Sequence, residues 1–161
     1  IGRALLSLMF GAWCGLRRPW LHLSEYFEVE KEAYCGALFA VSAAGDWDRW
    51  LSLLADAVLE QSRRTIERCA ALVELRAGWI DIMRSESFKV GAMALVDALL
   101  ERPTTGVTGA AARMDVSFPT AQRYLDRLVE KGMLTVVEGA SPRAYMAPQV
   151  LRILYGEPSL S

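Results

Sequence analysis

The sequence predicts a mainly α-helical protein whose last part is a compact module of helices and one β-hairpin. Before residue 85, apolar side chains recur at the spacing of α-helices over five segments. After it, three shorter helical segments precede two apolar runs separated by turn residues at 139–142. The polar stretch at 84–87 predicts a boundary between a helical segment, residues 1–83, and a second domain, residues 84–161.

The composition is that of a globular protein. The chain has 161 residues, of which 53% are hydrophobic and 23% are charged, and this is too apolar for a disordered chain. The formal net charge is −1, and residues 84–161 carry 9 Lys or Arg against 8 Asp or Glu. A domain built for strong non-specific phosphate binding would be far more positive, so any DNA contact must come from a local arrangement of charge.

Two short patterns predict a cytoplasmic protein with neither a membrane span nor a disulfide or metal site. The apolar run at 4–16 is shorter than the roughly 20 residues of a spanning helix, and we expect it to form a fully buried helix. Cys14, Cys35 and Cys69 are widely spaced and contain no CxxC pair, which indicates buried, reduced thiols.

The first segment is predicted to contain five helical elements, the last two of which form either one long helix or two in tandem. Gly45 is expected to end the third element, and Asp46 to cap the long one. The predicted bounds are Arg3 to Gly15, Ser24 (as N-cap) to Phe27, Val29 to Ala43, and Asp46 to Met83. The aromatic residues expected to pack between these helices are Trp13, Tyr34, Trp47 and Trp50.

The second domain has the element order of a winged helix-turn-helix, in which three helices precede a two-stranded β wing. The predicted helices are Val90 to Arg102, Thr108 (as N-cap) to Met114, Ser117 (as N-cap) to Lys131 and a closing helix, Pro148 to Leu154. The predicted strands are Leu134 to Glu138 and Arg143 to Ala147. In the third helix, Ala121, Leu125, Leu128 and Val129 recur at helical spacing and are expected to face the core.

The outward face of this third helix is the candidate DNA-binding surface. The candidate residues are Ser117, Thr120, Gln122, Arg123, Arg127 and Arg143. Ser117 and Thr120 can hydrogen-bond phosphate at the helix N-terminus, where the helix dipole is positive. Gln122 and Arg123 have donors suited to base edges. Arg127 and the wing residue Arg143 are expected to contact phosphate.

The alternative is a winged helix that binds protein only. Asp126 and Glu130 lie on the same face and would repel phosphate, and the wing holds a single cation. The sequence is consistent with both hypotheses, DNA binding and binding of protein only. One further alternative is a transcription-regulator-like DNA-binding protein with a helical oligomerisation domain.

Four stretches of the first segment follow one another in a characteristic order: Ile1-Gly2-Arg3-Ala4-Leu5-Leu6, Pro19…Leu23-Ser24-Glu25-Tyr26, Glu32-Ala33-Tyr34-Cys35-Gly36-Ala37-Leu38 and Gly45-Asp46-Trp47-Asp48-Arg49-Trp50-Leu51. In these stretches the first segment resembles the C-terminal part of a Fic domain. Fic proteins transfer AMP from ATP to a hydroxyl group of a target protein, and many carry a C-terminal winged helix. The resemblance implies a parent protein that is a nucleotidyltransferase, uses ATP and Mg²⁺, and modifies a protein by AMPylation.

The resemblance places Ile1-Gly2-Arg3 at the end of the family motif HxFx(D/E)GNGRxxR. Arg3 then corresponds to its phosphate-side arginine, whereas the histidine base, the acidic metal ligand and the anion loop fall upstream. We therefore expect a piece of a longer protein, with no catalytic residue, metal ligand or cofactor of its own. His22 lies past the motif and is expected on the surface or in a loop. Helix faces left bare by the missing helices predict a homo-oligomer.

Overall fold

The computed structural model describes residues 2–15, 21–88 and 90–156, except for the side chains of Arg3, Ser7 and Val90. These residues form eight α-helices and three short antiparallel β-strands, so the predicted mainly α class is confirmed. Backbone contacts divide the chain into two units, Ile1–Glu67 and Arg68–Ser161. No described helix combines the length and the apolar character needed to cross a lipid bilayer.

The first unit contains helices α1 (Gly2–Trp13), α2 (Leu23–Val29), α3 (Lys31–Ala44) and the first part of α4 (Trp47–Ser85). His22 occupies the N-cap position of α2, so the prediction that Ser24 caps this helix is wrong. Gly45 ends α3 in the left-handed conformation, with φ of 68°, which glycine adopts without a steric penalty. The Asp46 Oδ1 atom accepts a hydrogen bond from the Arg49 backbone amide at 3.2 Å, which confirms Asp46 as the cap of α4.

Helix α4 is one continuous helix of 39 residues, which settles the question of one long helix or two. The polar stretch Glu60–Arg64 does not interrupt it. Four of its five residues are glutamate, glutamine or arginine, which are strong helix formers, and the Glu60 Oε1 atom accepts a hydrogen bond from Arg64 Nε at 2.8 Å, one helical turn away.

The core of the first unit is an aromatic cluster around Phe27. Its ring centroid lies 4.8 Å from that of Tyr34 and 5.9 Å from that of Trp50, and Leu23 and Ala57 are buried beside it. The packing predicted for Tyr34 and Trp50 is therefore confirmed.

Several apolar side chains of the first unit are exposed where we expected burial. Trp13 is 76% exposed, Leu8 71% and Trp47 59%, so the prediction that α1 is fully buried is wrong, as is the packing role of both tryptophans. The three cysteines are free and exposed, so their predicted burial is also wrong. The error has one cause: apolar composition predicts burial only when a second surface covers the helix.

The second unit contains the rest of α4, a 3-10 turn and the remaining elements. They are the turn Val90–Ala92, α5 (Met93–Glu101), β1 (Thr104–Gly106), α6 (Val107–Met114), α7 (Phe118–Glu130), β2 (Thr135–Val136), β3 (Ala144–Met146) and α8 (Pro148–Tyr155). Gly106 holds the N-cap position of α6, so Thr108 lies inside the helix and the cap predicted there is wrong.

The predicted hairpin is present as β2 and β3, and a strand that we did not predict extends it. The sheet order is β1-β3-β2, with Thr105 and Val136 on either side of Tyr145. Strand β1 has only three residues, follows a proline and ends in glycine, and these features predict a loop rather than a strand.

The core of the second unit includes the C-terminal part of α4. Trp79 and Met83 are buried there, and Trp79 Nε1 donates a hydrogen bond to Gln149 Oε1 at 3.0 Å. Arg76 Nε also lies 2.6 Å from Asp97 Oδ1 on α5. The contact division accordingly falls between Glu67 and Arg68, within α4, whereas we predicted a domain boundary after residue 83.

Glu86 ties the end of α4 to α7. Arg127 Nη2 donates to the Glu86 backbone carbonyl at 2.7 Å and to Oε2 at 3.2 Å, and Lys131 Nζ binds Oε1. The hydrogen bond from Lys131, followed by that from Arg127, lowers the pKa of the Glu86 carboxyl below its ordinary value of 4.5. The carboxylate therefore stabilises the folded state above that ordinary value, and this contribution is lost as the pH falls through the lowered pKa.

Glu86→Gln is expected to lower the midpoint of urea unfolding at pH 7 and to have a smaller effect at pH 3, because the contribution of the carboxylate is lost as the pH falls through its lowered pKa. Urea unfolding of the two chains at both pH values checks this. Glu130→Gln is the matched control, since Glu130 is an exposed acid of α7 with no ion pair among the described residues. An equal loss at both pH values for Glu86→Gln would contradict the assignment.

A second prediction concerns Gln61, which is fully buried with no hydrogen-bond partner for either side-chain atom in the described part of the chain. Because an unpaired buried amide loses its hydration without compensation, Gln61→Met should stabilise the protein by about 1–2 kcal/mol. Gln122→Met is the comparison, because Gln122 has partners and its loss should destabilise. Equilibrium unfolding measures both, and a destabilised Gln61→Met variant would show that the amide is paired.

Candidate nucleic-acid interface

Helix α7 is the element that positions most of the candidate residues. It begins after Ser117, whose ψ of 154° is extended, and has Pro119 in its first turn, where the missing amide hydrogen costs nothing. Ala121, Leu125 and Leu128 are buried, as predicted, and Tyr124 is buried as well. The buried face fixes which side chains point outward.

The turn between α6 and α7 holds the two helices close together. Val116 is half-buried, and its backbone amide donates to the Ala111 carbonyl at 3.1 Å. Gly91, in the 3-10 turn, lies close to the end of α6. A Cβ atom at this position would lie 2.9 Å from the Met114 carbonyl oxygen, so only glycine fits there. The residues that follow this turn, Ser117, Phe118 and Pro119, are exposed, so the start of α7 lies at the surface.

The N-terminal part of α7 presents its polar groups to solvent. Ser117 Oγ and Thr120 Oγ1 lie 3.0 Å apart, on an exposed serine and a half-buried threonine. One turn later, Arg123 is exposed and has no ion pair among the described residues. Its guanidinium carbon lies 6.0 Å from the ring centroid of Tyr124, which is within the usual range of a cation–π contact. Two hydroxyls and one unpaired cation therefore share this end of the helix.

Asp126 joins α7 to the β2–β3 hairpin. Gln122 Nε2 donates to its carboxylate oxygens at 3.2 and 3.1 Å, and Tyr145 OH donates to Oδ1 at 3.0 Å. Gln122 Nε2 also donates to Tyr145 OH, and Arg143 Nη2 lies 3.4 Å from Asp126 Oδ1. Both Gln122 and Arg143 are thus held within the protein by one carboxylate.

Tyr145 is the buried residue of this cluster. Burial raises the pKa of its phenol, and the hydrogen bond to Asp126 raises it further, whereas the hydrogen bond from Gln122 lowers it. The neutral phenol therefore donates to Asp126 at all ordinary pH values. The Arg143 guanidinium lies 5.2 Å from the Tyr145 ring centroid, which adds a contact between the hairpin cation and the cluster.

Arg127 points away from this surface. It binds Glu86, and its guanidinium lies 4.4 Å from the ring centroid of Phe88. Glu86 also neutralises Lys131. Four cations lie on α7, directly after it or on the hairpin: Arg123, Arg127, Lys131 and Arg143. Among the described residues, Arg123 is the only one of the four without an ion pair.

The structure therefore divides the candidate residues into two groups. Ser117, Thr120 and Arg123 lie together at one end of α7, while Gln122, Arg127 and Arg143 have partners inside the second unit. Sequence reasoning missed the role of Tyr145 and Glu86. The spacing of four residues between Gln122 and Asp126 is a sequence signal for their side-chain hydrogen bond.

The two remaining candidate positions lie in the first unit. His22 is exposed, which confirms the surface position predicted for it. Arg3 lies in α1, and its side chain is outside the described part of the chain, so its predicted phosphate role stays a prediction. No three His, Cys, Asp or Glu side chains among the described residues come together in a way that could hold a metal ion.

Comparison with known proteins adds no family to this picture, because no protein-family model matches the sequence.

Proposed function

We propose that residues 84–161 form a winged helix-turn-helix that binds double-stranded DNA, with the start of α7 in the major groove. The observation that supports this most directly is Arg123, an exposed cation with no ion pair among the described residues, one turn from two hydroxyl groups at a helix N-terminus. Arginine in that position can donate two hydrogen bonds to guanine, and the hydroxyls can bind phosphate. The hairpin β2–β3 would act as the wing.

The same contacts argue for weak binding. Arg127, Lys131 and Arg143 are neutralised by Glu86 and Asp126, so few cations remain to release counterions from DNA. We therefore expect a shallow salt dependence, with a slope that corresponds to about one to three phosphates. A domain that bound only protein would show no DNA affinity even at low salt.

The parent protein is proposed, from the sequence resemblance alone, to be a cytoplasmic Fic-type AMP-transferase that uses ATP and Mg²⁺. The role proposed for this chain is regulatory: DNA or a partner protein bound by the second unit would determine where the enzyme acts. Self-association through the exposed apolar side chains of the first unit belongs to the same proposal.

Arg123→Ala should weaken DNA binding and change sequence preference, because a lost bidentate contact to guanine costs about 1–3 kcal/mol at one base position only. Fluorescence anisotropy with a panel of duplexes at low and moderate salt measures this. Arg152→Ala is the control, since it removes an exposed arginine of α8 that lies outside α7 and the hairpin. If the native chain binds no duplex at low salt, DNA binding is excluded; equal losses on every duplex would refute the base-reading role.

Asp126→Asn should tighten DNA binding, because it removes a negative charge from the surface and releases Arg143 from its ion pair. We expect about a threefold to tenfold gain at low salt, equal for all sequences and smaller at high salt. Glu101→Gln removes an exposed acid at the end of α5 and should leave affinity unchanged. Unchanged or weaker binding by Asp126→Asn would mean that phosphate does not approach this cluster.

A further inference from the structure

Helix α4 is apolar on two faces in the first unit, and the described residues cover only one of them. Trp50, Leu54 and Ala57 pack into the core around Phe27. On another face, Leu51 is 55% exposed, Leu59 57% and Ile66 68%. Exposed apolar side chains aligned along a helix are typical of an interaction surface rather than of a solvated face.

Small residues alternate with the large ones along this exposed stripe. Ala55 lies four residues before Leu59, and Ser62 lies between Leu59 and Ile66. At 3.6 residues per turn these four positions share one side of the helix. Ala55 is exposed and Ser62 half-buried. The stripe therefore presents two large side chains and two gaps.

Two opposite charges border the stripe. Asp56 and Arg63 are exposed, lie seven residues apart and make no ion pair among the described residues of the chain. Together with Leu59 and the exposed Val29 of α2 they line a groove of about 460 Å³ between α2 and α4. The nearby Glu60 is paired with Arg64, at 2.8 Å, so it does not compete for Arg63.

We propose that this stripe binds the same stripe of a second copy of the chain, with the two α4 helices antiparallel about a two-fold axis near residues 60 and 61. In that arrangement Leu59 faces Ser62 of the second copy, and Ile66 faces its Ala55, so each large side chain fills a gap. Asp56 comes beside Arg63 of the second copy, and the symmetry repeats each contact.

Self-complementarity is the reason for choosing a second copy as the occupant. The surface carries one acid and one base on the same edge, on opposite sides of the axis, and the large and small positions exchange under the same rotation. A two-fold interface needs this property, since residue i must fit residue j while j fits i. The inference concerns the first unit and does not depend on DNA binding by the second.

Charge reversal tests the arrangement. Asp56→Arg and Arg63→Asp should each weaken the dimer by about tenfold or more, because each places like charges side by side twice. The double variant Asp56→Arg/Arg63→Asp should restore the native dimer. Sedimentation velocity over a concentration series measures the dissociation constants, and circular dichroism verifies that helix content is retained.

Controls separate this surface from general stickiness. Leu59→Glu should produce a monomer, whereas Phe39→Glu, which replaces a 73% exposed residue of α3, should leave the dimer intact. A native chain that is monomeric at every concentration overturns the proposal. So does a double charge variant that is no better than either single variant, since the acid and base would then not face each other.

Cysteine cross-linking tests the antiparallel direction independently of affinity. In a chain with Cys14, Cys35 and Cys69 replaced by serine, Ala55→Cys/Ile66→Cys should form a disulfide-linked dimer on oxidation. Each single variant should not, because the same residue of the two copies would be about 16 Å apart along the axis. A dimer linked by Ile66→Cys alone would indicate parallel helices and refute the proposed arrangement.

Discussion

The burial of one face of α7 determines what the second unit can present to a partner. Ala121, Leu125 and Leu128 lie in the core, and the helix cannot rotate without exposing them. Their burial leaves Arg123 in solvent and turns Gln122 and Asp126 towards the hairpin. The candidate surface is thus a consequence of packing, because the buried face of α7 fixes where its polar side chains lie.

Internal ion pairs determine how much positive charge that surface presents to a partner. Asp126 holds Arg143 and Gln122, and Glu86 holds Arg127 and Lys131, so residues that look basic in the sequence are neutralised in the fold. These pairs are partly exposed, and each contributes little to stability, on the order of 0–1 kcal/mol. Their larger effect is on the field that an approaching phosphate meets. A weak and selective contact through Arg123 fits this arrangement better than a general affinity for nucleic acid.

The first unit differs from the second, since the surface that it offers to a partner is apolar rather than charged. Its core is small and centred on Phe27, whereas Leu8, Trp13, Ile66 and other large side chains are exposed. Such surface costs free energy in water and is retained where another surface covers it. Along α4, the alternation of large and small residues and the charges of Asp56 and Arg63 give that surface a defined geometry, which separates it from the scattered apolar residues of α1.

The sequence by itself determined the helices, because apolar periodicity, Gly45 and Asp46 are local signals that act within a few residues. It also determined the inward face of α7 and the hairpin of β2 and β3. Strand β1 was decided by tertiary structure alone, since its three residues have no strand pattern and gain their hydrogen bonds only from β3. Tertiary structure alone also decided the partners of Arg127 and Arg143 and the exposure of Trp13 and Trp47. Ion pairs and burial depend on which elements come into contact in the folded chain. A pattern along the sequence does not contain the distances between residues that are far apart in it.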